Sequence, residues 1–516
     1  MRTIHLDGQT ISTTDLCDVA YGRARAEIAL DAMPKIAAAR QVVENILDKD
    51  LTVYGVNTGF GSLVNTRISE DDLTELQLNL IRSHACGLGQ PLSIPHVRAM
   101  MLARANSLAK GHSGVRFEVI EQLIAFLDHD ITPLVPRIGS LGASGDLAQL
   151  AHMALSLIGE GQSYGTNGQL KPTKELLLEM GLIPLILEAK EGLSLINGTS
   201  LMVGLMADAE HQLARLLPMA DLILAVSIEA RSCSIKPADE RVHAVRPHVG
   251  QGLVAERIRL FMEGSDNLQM HSDCNRVQDA YSFRCAPQVH GAVLESHNRL
   301  QEVVTIDLNS ATDNPLIFPN PKNRGADEVI SQGNFHGEIL SLASDAMSLA
   351  CFELASISER RIDQILDHSR SGLPPFLAAN PGSESGMMIV QYAAAAALAE
   401  MRVYANPATA INIPTSANQE DHVSMGATAA WSLIQSVERL AEVLACELIV
   451  AGQALEHLSA APSKWVAALH RNLRGVVDPL AGDRSLSEEM RQVAKILASG
   501  SWLSLVESEL GMIPRL

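Results

Sequence analysis

The sequence predicts a mainly α-helical protein, in which a central bundle of long helices follows a smaller, mixed and loop-rich N-terminal part. Hydrophobic residues make up 47% of the chain, but aromatic residues only 3%. Ala and Leu therefore dominate, and both favour helices that pack closely. Short helical patterns alternate with Gly- and Pro-rich turns up to about residue 200, and long apolar runs follow. We expect an N-terminal region over residues 1–200 and a helical region over 201–516.

The long helices are predicted from apolar residues that recur at helical spacing. Polar, turn-forming segments separate these runs and are predicted to be loops. Loops on a rigid scaffold often carry function. The predicted helices cover 200–230, 288–306, 336–366, 386–404 and 423–456, and the predicted loops cover 276–287, 309–321, 373–385 and 407–422.

Charge and composition argue against several classes of partner. Acidic residues outnumber basic ones by 59 to 40, a formal charge of -19, so we expect neither nucleic acid nor an anionic membrane. The N-terminus lacks the apolar segment of a signal peptide, and the apolar stretch 440–455 is interrupted by Glu442 and Glu447. We therefore expect a soluble, cytoplasmic protein.

The cysteines and histidines give no metal or disulfide pattern. Seven cysteines are scattered without a C-x-x-C pair, and the 17 histidines include no H-E-x-x-H motif. Reduced thiols and the absence of a metal site are the expectation.

The segment Gly139–Asp146 contains three residues that are able to form an electrophile. The amide nitrogen of Gly145 attacks the carbonyl carbon of Ala143, and loss of water closes a five-membered ring. Dehydration of Ser144 then leaves an exocyclic methylidene on the ring. Glycine at the attacking nitrogen permits the compressed backbone that closure requires.

A structural interpretation of the same residues also stands. Ser144 is a suitable N-cap for the helix that the following sequence predicts. A second Ala-Ser-Gly occurs at 498–500, and we assign that copy to a helix end with a glycine stop. The tripeptide alone therefore does not decide between cap and electrophile.

Two upstream motifs offer further polar groups. Tyr54 opens the glycine-rich segment 54–61, which is interpreted either as a tight turn or as a mobile loop that delivers a phenol as acid or base. Ser83-His84 ends a predicted helix, where histidine commonly caps the last turn. As a site residue, His84 would bond a polar substrate ring.

Downstream loops supply a guanidinium, amides and carboxylates. Arg284, close after Gln278 and Tyr281, is suited to anchor a carboxylate or to form a structural ion pair. The Asn197 and Asn314 motifs each indicate a turn when taken alone. Glu420 either caps a helix start or pairs with a basic substrate group.

Eight motifs follow the order and approximate spacing of one enzyme family. They are 54–61, Ser83-His84, 139–146, 191–199, 278–284, 310–316, 333–336 and 416–425. Together they resemble the ammonia-lyases that use a 4-methylideneimidazol-5-one (MIO) group, most closely those acting on histidine. The resemblance extends over about residues 5–510.

The resemblance implies a fumarase/aspartase-like helical architecture and a homotetramer whose active sites draw on more than one subunit. MIO would form from Ala143-Ser144-Gly145, with no external cofactor. The implied roles are Asn197 and Tyr281 beside MIO, Tyr54 as base, Arg284 and Asn314 on the substrate carboxylate, Gln278 and Phe335 lining the pocket, and His84 and Glu420 on the substrate ring.

The implied reaction is the elimination of ammonia from L-histidine to give trans-urocanate, the work of a carbon–nitrogen lyase in histidine catabolism. One alternative is an MIO-dependent tyrosine or phenylalanine ammonia-lyase or 2,3-aminomutase, because Ser200 follows Asn197-Gly198-Thr199 as it does in those enzymes. A catalytically silent helical assembly protein is the other alternative. The joint presence of Tyr54, Ser144 and Arg284 argues against it.

Overall fold

The computed structural model describes residues 1–49, 51–53, 55–58, 73–270, 277–320, 322 and 327–516. Helices contain 61% of these residues, and the strands are short. The predicted mainly α-helical class is confirmed.

The described residues form 21 α-helices. In chain order they are α1 Thr13–Ala20, α2 Met33–Asp48, α3 Leu73–His84, α4 Ile94–Ala109, α5 Phe117–Asp128, α6 Leu147–Leu157, α7 Thr173–Met180, α8 Glu191–Ile196, α9 Ser200–Arg231, α10 Glu240–Ala244, α11 Val249–Phe261, α12 Asp266–Met270, α13 Tyr281–Arg284, α14 Ala286–Leu308, α15 Glu338–Leu366, α16 His368–Ser371, α17 Met388–Tyr404, α18 Gly426–Leu455, α19 Lys464–Arg474, α20 Ser487–Ser499 and α21 Ser501–Leu510.

Nine short strands form four small sheets within the described residues. They are β1 Arg2–Leu6, β2 Ala24–Ile28, β3 Leu88–Pro91, β4 Thr132–Pro133, β5 Pro136–Ile138, β6 Gln162–Tyr164, β7 Leu170–Pro172, β8 Leu316–Phe318 and β9 Glu328–Ile330. The β1–β2 pair is parallel, with Arg2 opposite Ala24, and the pairs β3–β5, β4–β6, β6–β7 and β8–β9 are antiparallel.

All five predicted long helices are present, as α9, α14, α15, α17 and α18. Their bounds differ from the apolar runs by at most three residues, which is the usual uncertainty at helix ends. Helix α15 is the one helix in the described part of the chain that is long and apolar enough to cross a membrane. Of its most apolar window, 56% is buried inside the structure, which is typical of a core helix.

The chain divides into two compact units. Unit 1 contains Met1–Asp208, Gln301–Asp345 and Pro407–Trp431, and unit 2 contains Ala209–Leu300, Ala346–Asn406 and Ser432–Leu516. Every described strand lies in unit 1, which also holds residues from two later segments of the sequence. The predicted domain boundary at residue 200 stays a prediction.

Unit 2 buries a polar network among its helices. Arg361 donates to Glu447 Oε2 at 2.8 Å, and both side chains are fully buried. Ser227 donates to the same carboxylate at 2.7 Å. Glu447, which interrupts an apolar run in the sequence, therefore pairs inside the unit and does not face solvent.

The second Ala-Ser-Gly lies where the sequence places it. Helix α20 ends at Ser499, and Gly500 follows in the left-handed conformation, with φ 74°. A residue without Cβ suits that position. The prediction of a helix end with a glycine stop is confirmed.

Candidate active site

Ser144 is not the N-cap of the helix that follows it. Helix α6 begins at Leu147, and its N-cap is Asp146. The Ser144 hydroxyl instead donates to Glu420 Oε1 at 2.6 Å, across 276 positions of sequence. The capping interpretation of Ser144 is therefore wrong, and its hydroxyl is held by a carboxylate.

Asp146 stands at the N-cap position of α6, but its side chain caps another helix, α9. Its side chain gives α6 no capping bond, and Oδ2 accepts the backbone N–H groups of Leu201 and Met202 at 2.9 and 3.1 Å. These donors belong to the first turn of α9, where an acceptor satisfies groups without intrahelical partners. Burial raises the Asp146 pKa to about 7, although these hydrogen bonds oppose the rise.

The backbone around the tripeptide requires glycine at two positions. Gly142 and Gly145 have φ of 69° and 78°, a region that L side chains rarely adopt. A Cβ on Gly142 would overlap Ser424 Oγ, and one on Gly145 would overlap the Gly198 carbonyl oxygen. Close backbone approach therefore accompanies the left-handed conformation.

Three hydrogen bonds hold the segment before Ser144 against later parts of unit 1. Gly142 O accepts from Gly337 N at 3.1 Å and from Ser424 Oγ at 3.0 Å. Met425 N donates to Leu141 O at 2.8 Å. The residues that hold this loop come from far along the chain: Gly337 lies nearly 200 positions later, and Ser424 and Met425 lie later still.

Asn197 contacts the same serine from the end of α8. It is the C-cap of that helix and is 4% exposed. Its Nδ2 donates to Ser144 O at 2.6 Å, and its buried Oδ1 has no hydrogen-bond partner among the residues that the structure describes. The side-chain amide thus approaches the backbone that would form the ring.

Glu420 follows a tightly wound turn. Ser416, Ala417 and Asn418 have φ of 52°, 54° and 65°, a strained conformation for residues with a Cβ. Thr415 Oγ1 donates to Glu420 Oε2 at 2.9 Å. With Ser144 on Oε1, both carboxylate oxygens are occupied.

His84 is the last residue of α3, as predicted. Its Nδ1 lies 2.8 Å from Leu80 O. A carbonyl only accepts, so Nδ1 carries the proton and Nε2 of a neutral ring is an acceptor. The side chain therefore closes the helix and still offers one nitrogen.

Asn314 and Phe335 lie in neighbouring loops of unit 1. Asn314 is 8% exposed, and its Oδ1 accepts from Gln332 N at 2.8 Å. Phe335 is half-buried, two residues before Gly337, whose backbone bonds the Ser144 loop. Asn314 is thus bonded to the loop that carries Phe335, and that loop is bonded to the Ser144 segment through Gly337.

The other candidate residues belong to unit 2 or lie outside the described residues. In unit 2, Arg284 stacks 4.6 Å from the Tyr281 ring centroid, Tyr281 is 70% exposed, and Gln278 is exposed. Tyr54 lies outside the described residues, and its neighbour Gly55 packs against Pro315.

Sequence reasoning missed three contributors to this geometry. Thr415 gives no local signal, and Ser424 lies within the 416–425 motif without a predicted role, because the importance of both depends on contacts with distant segments. Asp146 lies in the 139–146 motif, but local spacing does not show that its side chain caps α9. No group of three His, Cys, Asp or Glu side chains able to hold a metal occurs among the described residues.

A mainly helical fold and an Ala-Ser-Gly segment whose serine bonds both an amide and a carboxylate are the features expected of an ammonia-lyase. The chain belongs to the aromatic amino acid lyase family, whose profile matches residues 11–475. It is 46% identical to a histidine ammonia-lyase of Sorangium cellulosum, over 98% of this chain and 99% of that protein.

Solved structures of two kinds of enzyme share the fold. Histidine ammonia-lyase from Trypanosoma cruzi has a TM-score of 0.91 and 39% identity, covering 98% of this chain and 95% of its own. Tyrosine aminomutase from Streptomyces globisporus has a TM-score of 0.92 and 34% identity, covering 100% of both chains.

Proposed function

We propose that this protein is a carbon–nitrogen lyase that eliminates ammonia from L-histidine to give trans-urocanate, in histidine catabolism. The observation that carries the proposal is the pair of 2.6 Å contacts from Asn197 and Glu420 to Ser144. The 46% identity to a histidine ammonia-lyase supports histidine as the substrate.

We propose further that Ala143, Ser144 and Gly145 form MIO without an external cofactor. The residues fit that group. Gly145 has a backbone approach that excludes a side chain, Ala143 is 5% exposed, and the Ser144 hydroxyl has a carboxylate partner that is able to exchange a proton with it. Once formed, the methylidene supplies an electrophile for the substrate amine.

The carboxylate of the substrate would be held by Arg284 and Asn314. A guanidinium binds a carboxylate through two parallel N–H donors. Because Gln332 N already occupies Asn314 Oδ1, the Nδ2 donors of Asn314 are the groups left to face an anion. Gln278 and Phe335 would line the pocket, Tyr281 would lie beside the tripeptide, and Tyr54 would take the β-proton of the oriented substrate.

His84 and Glu420 would recognise the imidazole ring. The Nε2 of His84 is an acceptor in the neutral tautomer described above, and Glu420 supplies a negative charge. The N–H of a neutral imidazole ring donates to one of these two groups, and a protonated ring donates to both and carries a positive charge opposite Glu420. A phenyl ring offers neither an N–H donor nor a charge. We expect selectivity for histidine because a phenyl ring forgoes these hydrogen bonds and the attraction between unlike charges.

We propose a cytoplasmic homotetramer with shared active sites. Helix α17 has 17 residues, of which only Val390, Ala394 and Met401 are buried. Ile389, Tyr392 and Val403 of the same helix are 59%, 60% and 70% exposed. An exposed apolar face of this kind is typical of a subunit interface, and a second copy of the chain would cover it.

A tyrosine aminomutase is the second candidate, favoured by the 34% identity and full coverage of the Streptomyces globisporus enzyme. Incubation with L-histidine, L-tyrosine and L-phenylalanine, followed by product identification, separates the two. We expect urocanate from histidine. Its absence, with β-tyrosine or a cinnamate formed instead, would overturn the histidine assignment.

The electrophile has a test of its own. The mass of a peptide that spans residues 143–145 is expected to show the loss of two water molecules. An unmodified mass in the purified, folded enzyme would overturn the MIO proposal.

A further inference from the structure

Two fully buried cations lie next to the asparagine motifs, and the proposed chemistry uses neither. Arg104 is on α4, and Lys190 immediately precedes α8. Both are 0% exposed, and burial lowers the pKa of each. Burying a charge costs several kcal/mol, and hydrophobic replacements are often no less stable. Stability alone therefore does not account for these two residues.

Arg104 joins the Asn197 motif to the Asn314 motif. Its Nη1 donates to Asn197 O at 2.5 Å, and its Nη2 donates to Thr312 Oγ1 at 3.3 Å. A third bond goes to Ser107 Oγ at 3.0 Å. All three acceptors are neutral, and the carboxylates of Asp146, Asp307 and Asp313 favour the charged guanidinium only through space. The hydrogen bonds of the guanidinium therefore fix two loops.

Lys190 makes a second connection between the same two segments. Its Nζ donates to Asp313 Oδ2 and to Ser194 Oγ, both at 2.8 Å. Asp313 is fully buried and also accepts from Ser113 Oγ at 3.1 Å. The ion pair therefore ties the start of α8 to the residue that precedes Asn314.

The backbone at Lys190 is strained. Its φ of 75° lies in the left-handed region, which a lysine adopts only when its surroundings hold it there. From this residue α8 runs six residues to Asn197. The ion pair and the strained turn together fix where that helix ends.

We propose that Arg104 and Lys190 are positioning residues: Arg104 holds Asn197 against Ser144, and Lys190, through Asp313, holds Asn314 towards the substrate carboxylate. The proposal deepens the proposed function and rests on it. The two cations serve different groups, so their loss has different kinetic signatures.

The test compares Arg104→Gln and Lys190→Met with Arg98→Gln as a matched control. Arg98 is also a buried arginine on α4, 4% exposed, but it donates to the Val19, Ala20 and Leu127 carbonyls and to Asp130. None of these four partners belongs to an asparagine motif. All rates are divided by the fraction of chains that carry the dehydrated 143–145 peptide.

For Arg104→Gln we expect kcat to fall roughly tenfold or more with KM little changed, since Asn197 contacts the electrophile and not the substrate carboxylate. For Lys190→Met we expect KM to rise roughly tenfold with kcat little changed, since Asn314 binds the carboxylate. Arg104→Lys and Lys190→Arg should recover part of each loss. Arg98→Gln should change neither constant.

Where these variants do not fold, Thr312→Val and Ser194→Ala remove one bond from each cation and keep the charge. They should show smaller changes in the same directions. Equal effects of the two cation variants on kcat and KM, or no effect of either, would overturn the proposal.

Amide hydrogen exchange tests the inference without any turnover. Lys190→Met should speed exchange in residues 191–199 and 312–318, whereas Arg98→Gln should leave both segments unchanged. Unchanged exchange in Lys190→Met would overturn the positioning role. If the wild-type protein does not convert histidine, the proposed function fails separately, and the exchange result still decides whether the cations couple the two segments.

Discussion

Ser144 illustrates how one side chain acquires its chemistry from distant partners. In the sequence it is a hydroxyl between two small residues, equally suited to cap a helix. In the fold its hydroxyl meets Glu420, and its carbonyl meets the Asn197 amide. These contacts favour the electrophile interpretation, because they bring an acid–base group and a donor to the reacting backbone.

The charge of Glu420 is predicted to affect turnover of histidine more than the stability of the fold. Glu420→Gln keeps the shape of the side chain and the Thr415 contact but removes the charge that we propose faces the substrate ring. We expect kcat/KM for histidine to fall roughly 10- to 100-fold, as for loss of a charged hydrogen bond, with normal thermal stability. Steady-state kinetics measures the effect.

Asp421→Asn is the matched control, since that carboxylate is exposed in the same loop. It should leave kcat/KM for histidine unchanged. An equal loss in both variants would mean that the loop's charge, and not the position of Glu420, is responsible.

Asp146 predicts a pH dependence of stability. Its pKa of about 7 in the fold lies above the ordinary 3.8, so the folded state binds more protons between these values. The stabilising contribution is fully present below about pH 4 and is lost as the pH rises through 7. Asp146→Asn should therefore gain stability relative to wild type between pH 4 and 8.

Thermal unfolding of both proteins across that range measures the difference. A difference that is the same at every pH would contradict the raised pKa of Asp146.

At the scale of elements, the site depends on which segments meet. Asp146 ends one loop and caps α9, while Gly142 accepts bonds from the loops that precede α15 and α18. The long helices themselves are local consequences of composition and spacing. Their starting turns become site components only through these cross-contacts.

Gly142→Ala should damage the site beyond its cost in backbone strain. Gly142 and Gly168 both have φ of 69°, but a Cβ on Gly168 meets no atom of the described residues within 4 Å. Both substitutions should lower the free energy of unfolding by about 1–2 kcal/mol, because alanine disfavours the left-handed backbone. Only Gly142→Ala should also reduce dehydration at 143–145, because its Cβ displaces Ser424.

Peptide mass and thermal unfolding of the two alanine variants separate strain from overlap. Equal dehydration in both would show that the contact between Gly142 and Ser424 is dispensable.

At the scale of the whole molecule, two properties follow from burial and exposure. Unit 2 buries the Arg361–Glu447 pair, and the same unit exposes an apolar face on α17. The buried ion pair concerns the folding of a single chain. The exposed apolar face concerns association between chains.

Arg361→Met should strongly destabilise the protein. Removal of one partner leaves Glu447 buried and unpaired, at a cost of about 3–5 kcal/mol. The double variant Arg361→Met/Glu447→Leu should recover much of that loss, because neither member of the pair is left as a buried charge without its partner. Chemical denaturation measures both, and a double variant no more stable than the single one would contradict the explanation.

Charges on α17 should dissociate the assembly. Ile389→Lys/Tyr392→Lys places two cations on the exposed apolar face, and we expect species smaller than the proposed tetramer by light scattering, with reduced turnover. Leu178→Lys, which alters an apolar residue of unit 1 that is 82% exposed, is the control. Dissociation by Leu178→Lys alone would place the interface elsewhere.

The sequence by itself determined the five long helices, the glycine stop at Gly500 and the candidate electrophile, because periodicity, capping and tripeptide chemistry are local properties. It also identified Asn197 and Glu420 as candidates through their motifs. Only the tertiary structure decided that Ser144 is bonded to Glu420 and is not a helix cap. It also revealed the capping of α9 by Asp146 and the two buried cations between the asparagine motifs. Such contacts join segments tens to hundreds of residues apart, and packing sets their distances, which no local pattern records.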